Sequence, residues 1–166
     1  MIEIYVDGSA INNENPDKPT LGGVGAVFIE DGKVTGAMMG ITDHVLDGGL
    51  FRLDLQQTTN NTTELAVIYL ALELIRGKPG PYTIYGDSQY AGNLVFGEWK
   101  PKTNEALVAK VKALAGASNM PSVKWKHVRA HADNEYNNYA DYLAKSGAYK
   151  IPHDEVLNFE GWLLSA

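Results

Sequence analysis

The sequence predicts an α/β fold, a five-stranded mixed sheet with flanking helices. Residues 2–10 alternate apolar and polar side chains, which is typical of a strand. Residues 61–76 carry apolar side chains at helical spacing and are followed by a glycine. The elements follow in the order three strands, helix, strand, two helices, strand, helix. A chain of 166 residues fits a single domain with a substantial core.

The first half of the chain predicts a strand, a loop and a hairpin. The segment at 11–23 is rich in Asn, Pro and Gly and is interpreted as a polar loop. Residues 24–30 and 33–41 are strand-like and flank an Asp-Gly pair, which predicts a two-residue hairpin turn. The glycines of LGGVGAV lack the GK[ST] of a phosphate loop, so we interpret them as sites of close backbone approach.

The second half alternates helices and strands. Within residues 42–59, LFRLDLQ alternates like a strand and DHVLDGG resembles a loop, so this segment receives no single assignment. The remaining predicted elements are strands at 82–87 and 122–128 and helices at 61–76, 88–99, 103–116 and 133–147.

Composition narrows the functional class. The chain has no cysteine, no secretory leader pattern and no apolar run of membrane-spanning length, so we expect a soluble, monomeric, cytoplasmic protein. Its net charge of −6 argues against nucleic-acid binding at first sight. However, the segments 99–112 and 123–131 are locally basic and provide candidate contacts to phosphate.

Four carboxylates occupy positions that an α/β fold could bring together: Asp7, Glu64, Asp87 and Asp141. Like charges held close raise one another's pKa and cost stability, so such a cluster needs a counter-charge. Carboxylate oxygens suit Mg²⁺, with Mn²⁺ as a substitute, and two such ions are used to cut phosphodiesters. The pattern therefore predicts a metal-dependent nuclease.

Each carboxylate also has a structural explanation. Asp7 precedes a glycine and could shape a turn, and Glu64 could form a capping box with Asn61. Asp87 could be a helix N-cap, and Asp141 could lie on a solvated helix face. Singly, these alternatives stay open, whereas the conjunction of the four in this order favours a metal site.

Other residues are candidates for proton transfer or substrate contact. His131 lies between a basic strand and the helix of Asp141, which favours a proton shuttle or a role in product release. The other histidines lack such neighbours and are interpreted as structural: His44, His127 and His153. Trp99, beside Lys100 and Lys102, is a candidate for contact with the sugar-phosphate backbone.

The motifs DGS, TTNNTTEL and DSQY, followed by a histidine loop and a late helical aspartate, resemble the type 1 ribonuclease H family from about residue 2 to residue 147. The resemblance implies an endonuclease that cuts the RNA strand of RNA/DNA hybrids with two Mg²⁺ ions, leaving 5′-phosphate and 3′-hydroxyl ends. It implies metal binding by Asp7, Glu64, Asp87 and Asp141, with His131 as the loop histidine. The implied substrate contacts are Asn61 and Gln89 to RNA, Thr59 and Asn104 to a DNA phosphate, Asn137 beside the histidine loop, and Lys100 and Lys102.

The chain also departs from the family pattern. The basic protrusion after DSQY is shortened to GEWKPKTN, and residues 42–57 resemble an insertion. We predict a catalytic domain at 1–148 and a tail at 149–166 outside the resemblance, whose apolar side chains could contact a protein partner. Two alternatives are another enzyme on the same fold, such as a DNA resolvase or a reverse-transcriptase domain, and a hybrid-binding module without catalysis.

Overall fold

The computed structural model describes residues 2–11, 21–41, 58–129 and 134–149. Its elements in chain order are β1 (Ile2–Ile11), β2 (Leu21–Glu30), β3 (Lys33–Ile41), α1 (Asn60–Ile75), β4 (Tyr82–Gly86), α2 (Gln89–Val95), α3 (Glu105–Ala115), β5 (Val123–His127) and α4 (Glu135–Ala148). The predicted α/β class and element order are confirmed. The strand-like residues 50–56 lie outside the described part of the chain.

The five strands form one mixed sheet in the order β3-β2-β1-β4-β5. β1 pairs antiparallel with β2, and β2 pairs antiparallel with β3, as the Asp-Gly hairpin predicts. β4 pairs parallel with both β1 and β5. Because parallel strands run in one direction, the carboxyl ends of β1, β4 and β5 meet at the same edge of the sheet.

β2 begins at Leu21, earlier than predicted, because its glycines belong to the strand and not to the preceding loop. A Cβ at Gly23 or Gly25 would collide with the backbone carbonyls of Ala144 and Ala140 in α4. These glycines therefore let α4 pack directly on the sheet backbone, which confirms their interpretation as sites of close approach.

The two faces of the sheet are covered by different helices. α1 lies on one face, with Leu65, Ile68 and Leu72 fully buried, and α3 packs on its outer side. α4 covers the other face, where Tyr139 and Leu143 pack in a cluster with β1 and β2. In the described residues, no helix is both long enough and apolar enough to cross a membrane.

Helix α2 is shorter than the predicted 88–99. It ends at Val95, where the N–H of the C-cap residue Phe96 donates to the carbonyl of Gly92. Gly97 follows and lies against the carbonyl of Asn93, so close that a Cβ there would sit 2.8 Å from this oxygen. The segment from Gly97 to Asn104 is not helical and carries the exposed Trp99 to the surface.

Candidate metal centre

Asp7 is the sixth of the ten residues of β1, the central strand of the sheet, and lies level with the end of β4. It pairs with Gly25 of β2, on the strand that α4 covers, and its side chain is only 3% exposed. Asp7 continues the regular ladder of β1, so the alternative that it shapes a turn is wrong. A carboxylate buried this deeply in a sheet is unusual, because it needs hydrogen-bonding or charged partners to offset the loss of contact with water.

Glu64 comes from the first turns of α1, which approaches β1 very closely. The N–H of Gly8 donates to Oε1 of Glu64 at 3.1 Å. A Cβ at Gly8 would lie 2.5 Å from the carbonyl carbon of Thr63, so glycine is needed for this approach. The helix is capped by Thr59, whose hydroxyl accepts from the N–H of Thr62, and Glu64 takes no part in the cap. The capping-box interpretation of Glu64 is therefore wrong.

Asp87 directly follows the last residue of β4. Since β4 is the parallel neighbour of β1, its carboxyl end brings Asp87 to the edge where Asp7 lies. The N-cap of α2 is Ser88, whose hydroxyl accepts from the N–H of Ala91 at 3.1 Å. The cap interpretation of Asp87 is therefore wrong.

Asp7, Glu64 and Asp87 each offer a carboxylate oxygen, and these three oxygens lie within 4.8 Å of one another. Burial, followed by the charge of Glu64 and a hydrogen bond with it, raises the pKa of Asp7 far above its ordinary value. Burial also raises the pKa of Glu64, which the charges of Asp87 and Asp141 raise further, against the lowering effect of the hydrogen bonds from Asp7 and Gly8. Without a cation, this site retains protons that isolated carboxyls would have lost.

Asp141 lies beside the cluster on α4. Its side chain is within hydrogen-bonding reach of Asp7, and its Oδ2 accepts from Nζ of Lys145 at 3.0 Å. It does not belong to the group of three whose oxygens lie within 4.8 Å of one another. The helix face that it shares with Asn137 and Lys145 is solvated only in part, because Asn137 is 2% exposed whereas the side chain of Lys145 is 48% exposed. The structure thus brings the fourth predicted carboxylate to the same site.

The donor set fits a hard divalent cation. All the converging atoms are carboxylate oxygens, which Mg²⁺ and Mn²⁺ prefer over nitrogen or sulfur ligands. Burial and the neighbouring carboxylates raise the pKa values of Asp7 and Glu64, and Lys145, at the border of the site, pairs with Asp141. A bound cation would supply the missing counter-charge and satisfy the oxygens at once.

The predicted substrate residues lie on the helix starts that flank the carboxylates. Asn61 is in the first turn of α1 and Gln89 opens α2, and both are exposed. Thr59 is the N-cap of α1. Asn104 precedes α3 in a left-handed conformation (φ 58°), and its Nδ2 donates to the hydroxyl of Tyr90 at 3.2 Å.

The other predicted residues differ in their placement. Lys100 and Lys102 are exposed on the segment between α2 and α3, beside Trp99, which is 52% exposed. Asn137 is buried, and its Oδ1 accepts no hydrogen bond from the described residues. His131 lies outside the described residues, as do 42–57 and 150–166.

Two polar contacts at this site are not predicted from the sequence. Asn60 Oδ1 accepts from the N–H of Ala10 at 3.0 Å and so ties the end of β1 to the start of α1. Nε2 of His127 lies 3.2 Å from the carbonyl oxygen of Asp87. Asn60 adjoins a predicted helix start, which is a usable signal, whereas a contact across 40 residues leaves none in the local sequence.

Comparisons with known proteins agree with this architecture. The family model described as RNase H matches residues 1–149. Ribonuclease HI of Haemophilus influenzae is 33% identical over 157 residues, which cover 89% of this chain and 89% of that protein. Ribonuclease H of Mannheimia succiniciproducens is 32% identical over 157 residues, covering 89% of this chain and 87% of that protein.

Solved structures share the fold at lower identity. RNase H1 from the archaeon Halobacterium salinarum superposes with a TM-score of 0.64 at 21% identity, covering 90% of this chain and 98% of that one. LC11-RNase H1, solved in complex with an RNA/DNA hybrid, superposes with a TM-score of 0.67 at 22% identity, covering 90% of this chain and 98% of that one. At these identities the structural likeness supports the fold.

Proposed function

The chain belongs to the RNase H family, and on that premise we propose that it hydrolyses the RNA strand of RNA/DNA hybrids with two divalent cations. The products would carry 5′-phosphate and 3′-hydroxyl ends. The observation that carries this proposal is the cluster of Asp7, Glu64 and Asp87, with oxygens within 4.8 Å of one another. Two of these carboxylates are buried, which is costly in a site that does not hold cations.

The carboxylates would hold two Mg²⁺ ions, with Mn²⁺ as a substitute. When bound, such ions lower the pKa of the attacking water and stabilise the charge on the leaving 3′-oxygen. Asp7 is the central residue, since it is within hydrogen-bonding reach of both Glu64 and Asp141, and we assign it to both ions. Glu64 and Asp87 would flank it, and Asp141 would complete one coordination sphere after leaving Lys145.

The exposed amides beside the cluster would recognise the hybrid. Asn61 and Gln89 can donate to and accept from the 2′-hydroxyl, which distinguishes RNA from DNA in the minor groove. We assign Thr59 and Asn104 to a phosphate of the DNA strand. The hydrogen bond from Asn104 to Tyr90 supports this pairing, because it ties the segment before α3 to the helix that Gln89 opens.

The remaining assignments concern affinity and proton transfer. Lys100 and Lys102, both exposed, would meet phosphates of the DNA strand. His131 would move a proton or assist product release. Asn137 shares a face of α4 with Asp141, and its buried oxygen without a hydrogen-bond partner in the described residues supports a role at this end of the site.

The alternative of a hybrid-binding module without catalysis is less well supported. A binder would gain nothing from two buried carboxylates beside phosphates, because their charge repels the ligand. Another nuclease on the same fold would not need the exposed amides of Asn61 and Gln89 for its DNA substrate. Both alternatives give distinct results in a single cleavage assay.

Labelled RNA/DNA, RNA/RNA and DNA/DNA duplexes would be incubated with the protein, with and without Mg²⁺. We expect cleavage of the RNA strand of the hybrid only, in Mg²⁺ only, with ends that polynucleotide kinase and ligase identify as 5′-phosphate and 3′-hydroxyl. Cleavage of DNA duplexes would favour the resolvase alternative. Binding without cleavage would favour the binding module.

We assign the catalytic unit to residues 1–148 and leave 149–166 outside it. We further propose that the chain acts as a monomer in the cytoplasm, with the apolar tail available to a protein partner. Sedimentation of the full chain, alone and with hybrid, measures the oligomeric state directly.

A further inference from the structure

We propose that His127 is a positioning residue for Asp87: from the end of β5, its imidazole holds the backbone carbonyl of the metal-binding aspartate in place. This inference rests on the proposed function, since it requires that Asp87 bind a cation. His127 follows the carboxylate by 40 residues and is exposed, so its sequence context does not reveal the contact.

The hydrogen bond has a defined direction. Nε2 of His127 lies 3.2 Å from the carbonyl oxygen of Asp87. A carbonyl oxygen can only accept, so Nε2 carries the proton and donates it. Directly after β5, the N–H of Val128 donates to the carbonyl of Gly86 at 2.9 Å. Two consecutive carbonyls at the end of β4 are therefore held from β5.

Asp87 needs such support because regular structure ends on both sides of it. The ladder between β4 and β5 ends with the pair Gly86 and His127. Helix α2 begins after Ser88, which caps it. Asp87 is thus the residue at which the chain turns from strand to helix, and a small rotation there would move its carboxylate relative to Asp7 and Glu64.

A second side chain on the same face of β5, that of Trp125, supports the positioning role of His127. Trp125 lies two residues before His127, and two-residue spacing places both side chains on one face of the strand. The ring of Trp125 packs against Gly86, where an added Cβ would lie 2.5 Å from Cη2. Trp125 thus fixes the last residue of β4, and His127 fixes the residue after it.

Three variants of the full chain separate positioning from other roles. His127→Ala removes the donor, and His127→Gln restores an N–H donor on a side chain of similar reach. Ser122→Ala is the matched control, because Ser122 is also exposed, lies directly before the same strand and is outside the basic segment 123–131. Mg²⁺ binding would be measured without hybrid, from the amide NMR shifts of residues 86–88. Hybrid binding would be measured in EDTA by fluorescence anisotropy.

We expect His127→Ala to weaken Mg²⁺ binding about three- to tenfold, in line with the loss of one hydrogen bond that orients a metal ligand. His127→Gln should recover most of the affinity, and Ser122→Ala should match the wild type. The melting temperature and hybrid affinity in EDTA should stay unchanged for all three. Cleavage by His127→Ala should need more Mg²⁺ for half-maximal rate and reach a kcat near wild type at saturation.

An unchanged Mg²⁺ affinity in His127→Ala would overturn the inference, as would an equal loss in Ser122→Ala. A loss of hybrid affinity in EDTA would also overturn it, because His127 would then contact the substrate itself. If the wild-type protein neither binds Mg²⁺ nor cleaves hybrids, the proposed function fails. If the wild type does both and His127→Ala equals it, only the positioning role fails.

Discussion

Replacing Asp7 by asparagine should abolish cleavage and make the metal-free protein more stable at neutral pH. The substitution keeps the shape of the side chain and removes the central charge of a buried cluster. Glu64 and Asp87 each offer an oxygen within 4.8 Å of one on Asp7. At that separation two full charges repel by about 3.5 kcal/mol, with an effective dielectric constant of about 20. Because retained protons relieve part of this repulsion, we expect the substitution to raise the free energy of unfolding by about 2–3 kcal/mol.

The pH dependence of the gain follows from the direction of the pKa shifts. The folded protein raises the pKa of Asp7 and Glu64 above the ordinary values of 3.8 and 4.5. Above about pH 4 the folded state therefore binds more protons than the unfolded chain, and the free energy of unfolding falls as the pH rises. In the wild type, the repulsion among the carboxylates is fully relieved only below the pKa values of the unfolded chain, where the carboxyls are protonated in both the folded and the unfolded state. The advantage of Asp7→Asn should consequently be near zero at about pH 4 and grow towards pH 7.

Thermal unfolding in EDTA measures this effect. For a domain of this size, 2–3 kcal/mol corresponds to a rise in melting temperature of about 4–12 °C at pH 7. Added Mg²⁺ should shrink the difference, because it stabilises the wild type by binding the folded state. Asp31→Asn is the matched control: Asp31 is exposed in the β2–β3 turn, at a positive φ that asparagine tolerates. A gain that does not change between pH 4 and pH 7, or a loss of stability, would refute the electrostatic explanation.

Three further predictions concern the remaining parts of the site. His131→Ala should slow steady-state turnover by up to about 10²–10⁴-fold while hybrid affinity stays the same, and either complete loss of activity or an unchanged steady-state rate would contradict the proposed role. Changing Lys100 and Lys102 to alanine should raise KM with little change in kcat and flatten the plot of log affinity against log salt by about 0.7–0.9 per lost phosphate contact. An unchanged salt slope would place the contact elsewhere. Gly8→Ala should destabilise the protein and weaken Mg²⁺ binding together, because its Cβ would lie 2.5 Å from the backbone of Thr63, and a variant with normal Mg²⁺ affinity would show that helix α1 can shift without cost.

Local patterns were sufficient to predict most of the fold. The two-residue alternation of β1, the Asp-Gly turn and the apolar stripe of α1 each depend on neighbours within a few residues, and all are confirmed. The boundary errors have physical causes that lie elsewhere in the chain. β2 extends back to Leu21 because α4 packs on its glycines, and α2 stops at Val95 where the chain turns away through Gly97.

By itself, the sequence determined which residues could form a metal site, because carboxylates at strand ends and helix starts are visible as local motifs. Only the tertiary structure decided between the site and its alternatives. The cap residues proved to be Thr59 and Ser88, which left Glu64 and Asp87 to converge on the buried Asp7. The contact of His127 with Asp87 also depends on the tertiary structure, because β5 lies beside β4 only once the sheet has formed. Convergence is a property of strand order and helix packing, and residues far apart in sequence carry no local trace of it.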